Sequence, residues 1–113
     1  MNFYDKVHDM VRAFKDTEEY KKFLSLKNEI KQTKEKNDLL KNFKEKQNEM
    51  QMEYIKNNGK IDESKNTEMQ NLYSILIQDA KIREYFETEM KLDIMIADMQ
   101  KIIGEAVREI VEY

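Results

Sequence analysis

Apolar side chains recur along this chain every three or four residues, the spacing that lines one face of a helix. Tyr4, Val7, Met10, Val11 and Phe14 make such a face and predict a first helix over about residues 2–15. Asn2 is placed to cap it, and Asp5 suits the positive end of its dipole. Asp16-Thr17-Glu18-Glu19 reads as the next start, with Asp16 accepting a backbone N–H and Glu19 reaching back. A second helix is predicted over 17–56, with the stripe Tyr20, Phe23, Leu24, Ile30, Leu40, Phe43, Met50 and Tyr54. Helical spacing also draws Thr33, Asn37 and Gln47 into that stripe, so its middle is partly polar. A third helix is expected over 62–77, burying Met69, Leu72, Tyr73, Leu76 and Ile75. A fourth is expected over 80–111, after a weak break at Gln78-Asp79-Ala80 with Asp79 as N-cap. Its seam of Tyr85, Glu89, Leu92, Ile96, Met99, Ile103, Ala106 and Ile110 steps alternately by four and three, as a heptad does. Ile82, Phe86, Met95, Ile102 and Val107 widen it.

Turn chemistry is scarce. The 113 residues contain no proline and only two glycines, Gly59 and Gly104. Strands need turns, and the one strong turn signal is Asn57-Asn58-Gly59, which supplies a left-handed residue to stop a helix. Lys, Glu, Met, Gln and Leu dominate elsewhere and lose little rotamer freedom in a helix. The expected class is therefore all-α, a single domain over 1–113 with roughly four-fifths of the chain helical, against the usual third. A helix over 17–56 would span about 60 Å, whereas a compact domain of this size has a radius of gyration near ~13 Å. That helix must break or lie along another long one. The expectation is an elongated antiparallel hairpin or bundle of about four helices, with 17–56 and 80–111 as the two long ones.

Catalytic chemistry is poorly represented. Cysteine is absent, which excludes disulfides, thiolate metal sites and cysteine nucleophiles. His8 is the only histidine. It has Asp5, Asp9 and Arg12 within helical reach, but a metal site would want further histidines or converging carboxylates. The acidic groups Glu18-Glu19, Asp62-Glu63 and Glu84, Glu87, Glu89 read as solvated faces, because no Glu-x-x-His accompanies them. No Gly-rich phosphate loop, nucleophile elbow or zinc-protease motif occurs. Ser25, Ser64 and Ser74 have no base nearby in sequence. No catalytic residue, metal or cofactor is expected.

Charge is uneven. From Lys21 to Lys46 nine lysines face four acids, and from Asp79 to Tyr113 nine acids face five bases. The lysine segment could serve RNA. It lacks arginine, the preferred residue for bidentate phosphate recognition, and the net charge is −3. Opposite charges flanking a helix seam explain the pattern more simply. RNA is expected only indirectly, and neither DNA nor membrane is expected as a partner. No stretch approaches the ~20 apolar residues of a membrane span, and the start, Met1-Asn2-Phe3-Tyr4-Asp5-Lys6, lacks the marks of a secretory signal. A cytoplasmic location is expected.

Two surfaces stand out as binding candidates. Phe43, Gln47, Met50, Gln51 and Tyr54 mix aromatic, amide and thioether groups, as recognition surfaces do. Packing against the helix beyond the Asn58-Gly59 turn would explain the same residues structurally. Leu92, Ile96, Met99, Ile103 and Ile110 make a stripe wider than one antiparallel partner covers. A C2 homodimer burying at least ~1,000 Å² is expected from it.

The opening Tyr4-x-x-Val7-x-x-Met10-Val11-x-x-Phe14 with Thr17-Glu18-Glu19-Tyr20 resembles that of the YlbF/YmcA family. Phe43, Gln47 and Gln51 on one long helix are similar to its middle. Ile82-Arg83-Glu84-Tyr85-Phe86-x-x-Glu89, Leu92 and Ile102-Ile103 are similar to its end. The resemblance implies an all-helical cytoplasmic bacterial regulator of competence, sporulation or biofilm formation. It implies a non-catalytic adaptor whose partners are other regulatory proteins, in a complex that adjusts RNA processing by RNase Y. Iron–sulfur binding through cysteines, known in that complex, does not carry over to a cysteine-free chain. Asp79-Ala80 stands where the family often has Asn-Pro, which predicts a mere bend there. The leading expectation is thus a regulatory adaptor. The alternatives are an RNA-binding protein using the lysine-rich helix and a coiled-coil scaffold or chaperone.

Overall fold

The computed structural model describes residues 2–113. Helices make up 86% of the described residues, and there is no strand among them. They are α1 (Phe3–Lys15), α2 (Glu18–Lys31), α3 (Lys34–Lys56), α4 (Glu63–Leu76) and α5 (Ala80–Val111). The all-α expectation and the helical fraction hold. The number of helices is corrected from about four to five.

The extra helix comes from a break in the predicted 17–56 segment. Gln32 and Thr33 close α2 with tight i→i+3 bonds to Glu29 and Ile30, and Thr33 is extended at φ −106°, ψ 105°. Burial explains the break. Leu26 and Ile30 are buried on α2, and Leu40 and Phe43 on α3. In an unbroken helix Ile30 and Leu40, ten positions apart, would point about 80° away from each other. Breaking the helix lets both pairs turn inward and leaves Thr33 at a cap, where its β-branched side chain costs nothing to a helix interior.

The other ends follow local chemistry. Asn2 caps α1 by accepting the Tyr4 N–H at 2.8 Å. At α2 the cap is Thr17, not Asp16: its hydroxyl accepts from Tyr20 N–H and donates to the Phe14 carbonyl. Asp16 instead pairs with Lys21 at 2.9 Å, which holds its carboxyl below the usual range. Asp62 caps α4 through Ser64 and Lys65. Between α4 and α5 there is a true break. Asp79 accepts the Lys81 and Ile82 N–H groups at 2.9 and 3.1 Å.

The chain divides into two compact units, residues 26–84 and residues 1–25 with 85–113. In the first, Leu26, Ile30, Leu40, Phe43, Leu76 and Ile82 are buried. The helices that pack there as an antiparallel pair are α3 and α4. Phe43 meets Tyr73, Lys46 meets Glu68, and Glu53 meets Lys65, so one index climbs as the other falls. The expected 17–56 helix is divided at Gln32-Thr33, and its first part meets 80–111 where Glu29 pairs with Lys81. In the second unit Phe23 stacks on Tyr85 with ring centres 4.7 Å apart, and Phe14 meets Tyr20 edge-on. Tyr85, Phe86, Thr88 and Leu92 are buried, while α1 has no buried residue. Burial departs from the predicted stripes in several places. Leu26 is buried in place of Leu24, and both Tyr73 and Ile75 are exposed.

Candidate functional site

The far end of the α3–α4 hairpin carries a groove, and the turn builds it. Asn58 and Gly59 both take positive φ, 54° and 86°. The Gly59 N–H closes back on the Tyr54 carbonyl at 2.8 Å, an αL termination of the kind glycine permits. Chain reversal then sets Ile61, Asn66 and Met69 opposite Gln47, Met50, Gln51, Tyr54 and Ile55. The α3 members recur at three- and four-residue spacing and so share one face. Together these eight side chains line a cavity of about 370 Å³. It continues into a second, lined by Phe43, Gln70, Tyr73 and Ser74 and sharing Asn66 and Met69.

The lining of both cavities carries no charged side chain. Lys46, Lys65 and Glu68 line an adjoining cleft that shares Met50 and Met69 with the groove, and there Lys46 pairs with Glu68 and Lys65 with Glu53. Glu53 raises the Lys65 ammonium above its usual range. The groove thus offers amide donors and acceptors, two thioethers, a tyrosine hydroxyl and aliphatic surface. Such a mixture can adapt to a partner's backbone and apolar side chains.

The structure brings together four of the five residues expected to bind a partner: Gln47, Met50, Gln51 and Tyr54. Phe43 is 5% exposed, so it packs inside the hairpin and offers the adjoining cavity only an edge. Ile55, Ile61, Asn66 and Met69 were not among the candidates. Their signal was the turn: a reversal at Asn58-Gly59 places Asn66 opposite Met50. Of the stripe expected for self-association, Leu92 is buried and Met99 is half-buried, while Ile96, Ile103 and Ile110 are exposed. His8 is exposed, and its neighbour Asp9 pairs with Arg12. In the lysine-rich segment Lys21, Lys36 and Lys46 each meet a carboxylate, on Asp16, Asp79 and Glu68. No helix among the described residues is long and apolar enough to cross a membrane.

Comparison with known proteins defines the class. Residues 3–108 match the family described as control of competence regulator ComK, YlbF/YmcA, and the chain belongs to this regulatory family. It is similar to a UPF0342 protein of Symbiobacterium thermophilum, 36% identical over 92% of each chain. UPF0342 proteins of Clostridium tetani and Desulfitobacterium hafniense are 33% and 32% identical, over 95% and 97% of this chain and 91% and 88% of theirs. No solved structure matches it.

Proposed function

We propose that this protein is a non-catalytic adaptor that works in the cytoplasm, as a homodimer, and binds regulatory proteins through the α3–α4 groove. The observation that carries the reading is the groove itself, uncharged and lined by Gln47, Met50, Gln51, Tyr54 and Ile55 against Ile61, Asn66 and Met69. Ile55 is 78% exposed at its edge and Ile61 across from it is 53% exposed. Large apolar groups left in water beside adaptable polar ones are what a protein partner covers. The regulatory character of the family supports the adaptor role and makes RNase Y-linked complexes the first place to look.

The direct-RNA reading draws less support. Three lysines of its strip are engaged by carboxylates of the same chain, which lowers the charge available to phosphates.

The test is affinity capture from the native bacterium with tagged wild-type protein and with the Gln47→Ala/Gln51→Ala variant. The adaptor reading expects regulatory proteins on the wild type and their depletion on the variant. Equal recovery on both would move the site away from the groove. Salt-sensitive RNA without protein partners would replace the adaptor reading with RNA binding.

A further inference from the structure

Within the unit formed by residues 1–25 and 85–113, two helical faces lie open. α1 is strongly amphipathic and buries nothing, with Phe3, Tyr4, Val7 and Val11 exposed. The second half of α5 exposes Ile96, Ile103, Val107 and Ile110. We propose that α1 of one copy lies along the second half of α5 of a second copy, and the reverse, closing a C2 dimer. This rests on the homodimer reading above and assigns its interface.

Three observations select this occupant. The first is area. Phe3, Tyr4, Val7 and Val11 of α1 and Ile96, Ile103, Val107 and Ile110 of α5 are each more than a third exposed, eight large apolar side chains per copy set against the ~800 Å² per partner of a stable interface. The second is length. The 13 residues of α1 span about 20 Å, and the stripe from Ile96 to Ile110 spans about 21 Å. The third is charge. α5 from Asp93 onward carries Asp93, Asp98, Glu105, Glu109 and Glu112 against Lys101 and Arg108. Two such segments side by side would repel. α1 brings Lys6, Arg12 and Lys15 against Asp5 and Asp9, so α1 against α5 joins opposite signs. Each copy carries both faces, and an isologous pairing covers all four at once.

The absence of cysteine makes the test direct. Val7→Cys is mixed in turn with Ile96→Cys, Ile103→Cys and Ile110→Cys, one member of each mixture carrying a mass tag, under a mild copper oxidant. Wild type is sedimented in parallel at tens of micromolar. The expected results are a wild-type particle of twice 13.7 kDa and a mixed disulfide joining Val7→Cys to at least one α5 position. A wild-type monomer overturns the proposal. So do α5 variants that link only to themselves, or a Val7→Cys/Ile103→Cys double variant that closes only within one chain. Gln47→Ala/Gln51→Ala serves as the control. It should cross-link like its parent when carrying the same cysteines, so a failure of this interface and a failure of the groove are told apart.

Discussion

The Lys36 ammonium sits 2.5 Å from Oδ2 of Asp79, tying the first turn of α3 to the cap of α5. Asp79 also accepts two N–H groups of that cap. Lys36 and these backbone donors hold its carboxyl below the usual range, overcoming the opposite pull of burial.

Replacing Asp79 with Ala should therefore cost about 1 kcal/mol, as loss of a helix cap does. A depressed carboxyl contributes stability that is full above its unfolded pKa and is lost as pH falls through the folded one. Urea unfolding at neutral pH and near pH 3 should show the gap between wild type and Asp79→Ala narrowing in acid. Asp79→Asn, which can still cap, should lie between them at neutral pH.

Leu76 is 1% exposed in the 26–84 unit. Leu76→Ala should destabilise the protein by about 2–5 kcal/mol. The exposed neighbour Ile75 should tolerate Ala within about 0.5 kcal/mol. Denaturation of the two variants side by side checks whether the buried face of α4 is the one described.

The two glycines should respond with opposite signs. Gly59 needs φ 86°, and an added methyl would meet only ordinary contacts with Tyr54, so Gly59→Ala should lose about 1 kcal/mol from backbone strain alone. Gly104 lies inside α5 with open space around it, so Gly104→Ala should gain roughly 0.5–1 kcal/mol. Thermal melting of both variants measures this.

Burial pushes the Tyr85 hydroxyl up to about 12, with Glu89 adding to the effect. An ultraviolet titration should show a late tyrosinate component that vanishes in Tyr85→Phe. The unfolded chain gives up this proton first, so stability should fall as pH rises from about 10 towards 12.

The helices could be read because local and tertiary preferences agree over most of the chain. The stripes of α1 and α5 and the turn at Asn58-Gly59 each have one dominant local cause. The break at Gln32-Thr33 has none. Neither residue is a glycine or proline, and the break is imposed by the need to bury both Ile30 and Leu40. Its one trace was the polar gap at Thr33 and Asn37 in the predicted stripe. Leu26, four positions before Ile30, shares the buried face of α2, whereas Leu24 does not. The groove was half visible. Gln47, Met50, Gln51 and Tyr54 share a face by spacing, but Ile61, Asn66 and Met69 join them only across the turn. Phe43 obeys the same spacing and yet lies inside, because α4 brings Tyr73 over it.

The α3–α4 groove either holds a partner or merely seals the hairpin. The deciding measurement is the affinity of Gln47→Ala/Gln51→Ala for a captured partner protein, set beside its unfolding free energy. A partner-binding groove predicts at least a ~10-fold weaker complex, with stability within about 0.5 kcal/mol of wild type. Unchanged affinity together with a clear loss of stability would contradict it, making these glutamines part of the packing and placing the partner elsewhere.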